Sequence, residues 1–145
     1  DIPYFLLDNK LKMVPAYASS RGEKLTNLPK FKIPFPILVV FPCLHISTKW
    51  AYSKIKNQKS KIKILNKHKE FDISRINLYS NDFEKVVFAK YPEIKSIKEK
   101  MYDFGAAFSS MSGSGSSVYS FFKKLNDLKK AEMYFKKLDY RVFRV

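Results

Sequence analysis

The sequence predicts an α+β domain in which helices cover one face of an antiparallel sheet, and three observations carry that expectation. From Ile37 onward the chain reads strand, helices, strand, strand, helix, strand. Ile37-Leu38-Val39-Val40-Phe41 is a short β-branched apolar run closed by Pro42, the pattern of a central strand buried on both faces. Apolar residues are 46% of the 145-residue chain, which suits a packed core and excludes a disordered composition.

Residues 4–28 read as extended, with Tyr4 to Leu7 and Leu11 to Val14 flanking the turn composition Asp8-Asn9-Lys10 as a hairpin. The polar run from Ser19 to Glu23 follows, and Pro29, Pro34 and Pro36 mark an extended connection into the Ile37 strand. Ser47 is an N-cap for a helix to about Ile55, with Trp50, Ala51 and Ile55 on its buried side. The Lys-rich segment 56–74 has few core positions and reads as an exposed loop or a variable insertion, with no function assigned to it. Asn81 and Glu84 stand at N-cap and N3 spacing, so NDFE has the form of a capping box opening a helix with Val86 and Val87 inward.

Pro92 suits the first position of a further helix, where Ile94, Ile97 and Met101 recur at spacings of three and four and Gly105 is placed to stop it. Ala106 to Met111 and Val118 to Phe122 read as strands around SGSGSS. A last helix, about Leu125 to Leu138, carries Leu128, Ala131, Phe135 and Leu138 on one side, and Arg141 to Val145 closes the chain as a strand. A βαββαβ order of this kind is the split-βαβ, ferredoxin-like arrangement.

The 28 basic against 13 acidic residues give a net charge of +15, a field that draws nucleic acid, anionic lipid or phosphorylated small molecules. Only Arg21, Arg75, Arg141 and Arg144 are arginines, whereas planar bidentate recognition of phosphate and guanine favours Arg, so nucleic acid is not the expected partner. Most of the Lys surplus reads as solvated faces. A lone Cys43 cannot form an intramolecular disulfide, and with His45 and His68 as the two imidazoles no zinc-ligand cluster is expected. With no disulfide expected, a reducing, cytoplasmic setting is the default; the longest apolar stretch, Ile33 to Leu44, is broken by three prolines and falls short of the roughly 20 residues that span a bilayer, so no transmembrane segment and no membrane partner is expected.

One short motif has a phosphate-handling character. In Ser112-Gly113-Ser114-Gly115-Ser116-Ser117 the glycines permit positive φ and close approach of backbone amides to a ligand, and the serines offer hydroxyls. Taken alone, SGSGSS fits a plain hairpin loop equally well; it is neither a Walker loop nor a dinucleotide fingerprint.

The ordered set DIPYFL, SRGEKLTNL, HISTKWAY, NDFE and GAAFSSMSGSGSSVYSFF resembles the carboxy-terminal half of the 4-diphosphocytidyl-2-C-methyl-D-erythritol kinases, a family of the GHMP kinase superfamily. The resemblance implies a GHMP kinase carboxy-terminal domain over residues 31–145, with residues 1–30 as hairpin remnants of the amino-terminal domain and the connection. It implies that Asp1 is the catalytic carboxylate, accepting the substrate hydroxyl's proton during attack on the γ-phosphate of ATP. Ser112, Gly113, Ser114, Gly115 and Ser116 are implied as the phosphate-side loop, and Tyr52 as the ring stacking on the substrate's cytosine, with Trp50 as the alternative ring. Gly22 in SRGEKL is implied as a turn residue.

The cofactors implied are ATP and Mg²⁺, with no metal ligand assigned in this chain. The partners are ATP, a cytidine-diphosphate-linked methylerythritol and the amino-terminal half of the same enzyme, which carries the main glycine-rich loop and a catalytic Lys. The isolated chain is expected to be inactive. The rival readings are a basic ferredoxin-like nucleic-acid-binding module, although no RNP-type word is present, and a non-catalytic remnant.

Overall fold

The structure, a computed structural model, describes residues 16–19, 24–27, 32–55 and 80–145. The hairpin expected around Asp8-Asn9-Lys10, Gly22 and the Lys-rich segment 56–74 lie outside the described residues.

The chain divides into two compact units. In the first, β1 (Ala16–Ser19) pairs antiparallel with β2 (Lys24–Asn27), Ala16 opposite Asn27 and Ser19 opposite Lys24.

The second unit holds β3 (Ile37–Phe41), α1 (Thr48–Ile55), α2 (Asp82–Lys90), α3 (Pro92–Asp103), β4 (Ala106–Met111), β5 (Val118–Phe122), α4 (Leu125–Lys137) and β6 (Arg141–Arg144). Its sheet has the order β4-β5-β3-β6 with every neighbour antiparallel, which is the split-βαβ arrangement the element order predicts. β3 is central, as its apolar run requires. Leu38 and Val40 are fully buried, but Ile37, Val39 and Phe41 are only half-buried, so the expectation of burial on both faces is corrected. The alternation follows from helices packing on one side of the sheet.

Leu38 and Val40 share the core with Ile94, Ile97 and Met101 of α3, Leu128, Ala131 and Phe135 of α4, and Val118 and Phe122 of β5. A bulge between Ala106 and Phe108 puts Ala106 opposite Phe122 in that core and sends Phe108 to stack on Phe121, ring centroids 5.9 Å apart. Local chemistry sets the helix ends. The Ser47 hydroxyl accepts from the Trp50 amide, Pro92 begins α3, and Gly105 at φ 87° turns the chain after α3 while its amide donates to the Tyr102 carbonyl.

Leu138 departs from the sequence reading: it is 47% exposed rather than part of the buried side. The helix ends at Lys137, Leu138 is its C-cap, and Asp139 at φ 61° redirects the chain into β6, which rotates Leu138 off the apolar stripe.

Truncating the fully buried Phe135 to Ala is expected to cost about 3–5 kcal/mol in urea unfolding, against under about 1 kcal/mol for Leu138→Ala.

Candidate functional site

The loop 112–117 joins two strands that run antiparallel, so its ends are fixed by the ladder: the Ser112 amide donates to the Ser117 carbonyl at 2.8 Å. Within it the Gly115 amide donates to the Ser112 carbonyl at 3.0 Å. Gly113 and Gly115 take positive φ, 52° and 93°, and a Cβ on Gly115 would lie 2.7 Å from Ile46 Cδ1 and 2.9 Å from Met111 Sδ. Gly115 is therefore required twice, by its backbone and by its neighbours, whereas Gly113 has open space around it.

Three contacts seat the loop on the rest of the unit. The Ser116 hydroxyl, in a residue only 3% exposed, donates to the Leu44 carbonyl at 2.6 Å, so it anchors the loop to the segment between β3 and α1. The hydroxyls of Ser114 and Thr48 share a hydrogen bond at 3.2 Å, which ties the loop to the start of α1. Asn81, the N-cap of α2, donates from Nδ2 to the carbonyls of Met111 and Gly113 at 2.7 and 2.8 Å while its Oδ1 accepts from the Phe83 amide at 3.0 Å.

Glu84 completes the support. Its Oε1 accepts from the Met111 amide at 2.8 Å and the Ser110 hydroxyl at 3.0 Å, and its Oε2 pairs with Lys98 Nζ at 2.6 Å. NDFE therefore caps its helix through Asn81, but the Glu84 carboxylate reaches across to β4 instead of closing a capping box. Asn81 and Glu84 are the residues that sequence reasoning underrated. Their local signal announces a helix start, and their partners 26 to 32 residues away leave no local trace.

Tyr52, on α1, is 56% exposed and packs edge-on against Phe83, centroids 4.9 Å apart. It lines a cavity of about 450 Å³ together with Phe83, Tyr119, Asn81, Ser112 and Gly113. Trp50 is engaged elsewhere, edge-on to Tyr91 and beneath Lys90 Nζ at 4.3 Å, so of the two candidate rings Tyr52 is the one that lines the cavity. Burial holds the Tyr119 phenol above its ordinary pKa; the Ser110 hydroxyl opposes that rise and the Glu84 carboxylate adds to it. Tyr119 therefore stays a neutral, hydrogen-bonding aromatic at physiological pH. Of the site residues expected from sequence, the structure brings Tyr52, Ser112 and Gly113 to one cavity, places Ser114 and Gly115 in the same loop, and turns Ser116 inward. Asp1 lies outside the described residues.

The arrangement suits an anionic ligand beside an aromatic one. The amides of Gly113 and Ser114 donate to no described residue, and hydroxyls of Ser112, Ser114 and Thr48 stand beside them. Among the described residues no group of three His, Cys, Asp or Glu side chains could hold a metal ion, and no helix is long and apolar enough to cross a membrane.

Comparison with known proteins gives consistent likenesses. The family described as GHMP kinases C terminal matches residues 63–139. A 4-diphosphocytidyl-2-C-methyl-D-erythritol kinase of Chlorobium phaeobacteroides (strain BS1) is 38% identical over 94% of this chain and 48% of its own length. One from Chlorobium limicola is 36% identical over 97% of this chain and 49% of its own length. The chain thus spans about half the length of the curated relatives it matches. Among solved structures, a 4-(cytidine 5'-diphospho)-2C-methyl-D-erythritol kinase superposes with a TM-score of 0.65 at 23% identity, covering 89% of this chain and 48% of that one. A homoserine kinase from Cytophaga hutchinsonii superposes at 0.53 with 17% identity over 84% and 44%.

The loop geometry sets an order for two glycine substitutions. Gly115→Ala is expected to lose about 2–4 kcal/mol in urea unfolding, from backbone strain plus overpacking, and Gly113→Ala about 1 kcal/mol.

Proposed function

Because this chain belongs to the GHMP kinase family, we propose that it forms the carboxy-terminal half of an ATP-dependent kinase that phosphorylates the 2-hydroxyl of 4-diphosphocytidyl-2-C-methyl-D-erythritol. The observation that carries the reading is the 36–38% identity, over nearly the whole chain, to relatives named for that activity. The shared cavity of Tyr52, Ser112 and Gly113 supports it, since it sets an aromatic ring suited to a cytosine beside the loop read as the ATP-phosphate side.

In this reading residues 31–145 are the carboxy-terminal domain and residues 1–30 the end of the amino-terminal one. The Asp1 carboxylate takes the proton of the 2-hydroxyl as its oxygen bonds to the γ-phosphorus and the bond to the ADP oxygen breaks. The loop 112–116 lies on the phosphate side and Tyr52 stacks on the cytosine. Mg²⁺ accompanies ATP and neutralises phosphate charge, and the reaction takes place in the cytoplasm as a step of isoprenoid precursor synthesis. The principal ATP loop and a catalytic Lys come from an amino-terminal half, so catalysis needs that half. Positioning and charge stabilisation supply most of the rate in phosphoryl transfer, which is why a half lacking the main loop gives no turnover.

The test is ADP release on mixing ATP, Mg²⁺ and the cytidylyl substrate with this chain alone and with the chain fused to the amino-terminal half of the Chlorobium phaeobacteroides relative. Turnover is expected from the fusion only. Tyr52→Ala in the fusion should raise KM for the cytidylyl substrate about tenfold, because base stacking on an aromatic is worth about 1–3 kcal/mol, and leave KM for ATP within about twofold. A fusion that folds and releases no ADP, or an unchanged substrate KM in the variant, contradicts the reading.

A further inference from the structure

Asn81 holds two carbonyls that bracket Ser112, and peptide geometry converts that grip into an aim for the loop's donors. In a trans peptide the carbonyl and the following amide point in opposite directions. Fixing the Met111 carbonyl on Asn81 sends the Ser112 amide away from it, where it meets the Ser117 carbonyl and closes the base of the loop. Fixing the Gly113 carbonyl likewise directs the Ser114 amide away from Asn81, and that amide donates to no described residue. One side-chain amide group thus sets two alternate peptide planes, Met111–Ser112 and Gly113–Ser114, while the oxygen of the same side chain starts α2.

We propose that Asn81 is a positioning residue for nucleotide phosphate: through its two loop hydrogen bonds it presents the Ser114 amide to a phosphoryl oxygen, separately from its role as a helix cap. This rests on the kinase reading above. The two roles sit on different atoms, Oδ1 for the helix and Nδ2 for the loop, so substitution can divide them. Asn81→Asp retains a strong N-cap oxygen and replaces the donor by a carboxylate oxygen facing two carbonyls. Asn81→Ser keeps a capping hydroxyl and simply lacks the loop donor, which guards against the Asp variant failing for charge reasons alone.

The experiment has two readouts on the same variants. Amide hydrogen exchange in this chain is expected to be at least tenfold faster at Ser112 and Gly115 in both variants, with Val87 and Phe88 of α2 unchanged. In the fused kinase both variants should raise KM for ATP about tenfold with KM for the cytidylyl substrate within twofold. Unchanged exchange at Ser112 and Gly115 overturns the proposal, as does faster exchange with an ATP KM equal to that of the unsubstituted fusion. An unsubstituted fusion without turnover instead overturns the kinase reading, and the phosphate-positioning role falls with it.

Discussion

The free edge of β4 is the constraint on which the site depends. Among the described residues β4 is the outermost strand of its sheet, so the backbone groups of Ser109 and Met111 that point away from β5 have no described strand to pair with. Side chains take the place of that strand. The Tyr102 hydroxyl accepts from the Ser109 amide and donates to the Ser109 carbonyl, Glu84 accepts from the Met111 amide, and Asn81 donates to the Met111 carbonyl. Closing the edge in this way fixes where the strand stops and the loop begins. The cavity beside Tyr52 then has its floor, because Met111, Ser112 and Gly113 are held at the start of α2.

The Lys98 contact explains why a carboxylate can serve at this edge. Glu84 is 15% and Lys98 24% exposed, so the pair is partly withdrawn from water, and an unpartnered carboxylate there would carry a desolvation penalty. With one oxygen on the ammonium and the other on an amide and a hydroxyl, both are satisfied. The other described ion pairs of α3, Lys95 with Glu99 and Lys100 with Asp103, are exposed and local in sequence, worth at most about 1 kcal/mol each.

What was legible in the sequence was whatever depends on neighbours along the chain. The period of Ile94, Ile97 and Met101, Pro92 and Gly105 as start and stop, Ser47 as a cap and the β-branched run of β3 all appear in the structure where local chemistry put them. Leu138 fits the apolar period, yet the turn at Asp139 removes it from the stripe. The site was half legible. SGSGSS and Tyr52 could be singled out by their residue types, but the side chains that seat the loop, Asn81, Glu84 and Thr48, act across gaps of 26 to 66 residues. A cap motif conceals such a role, since its local hydrogen bond already accounts for the residue.

Urea unfolding of Tyr102→Phe tests the closure of the β4 edge most directly, because the substitution removes one hydroxyl and leaves the ring. The loss of both hydrogen bonds to buried Ser109 predicts a destabilisation of about 1–3 kcal/mol, against no measurable change for Tyr134→Phe, whose hydroxyl bonds to no described residue. Equal stability of Tyr102→Phe and the unsubstituted chain would contradict the account.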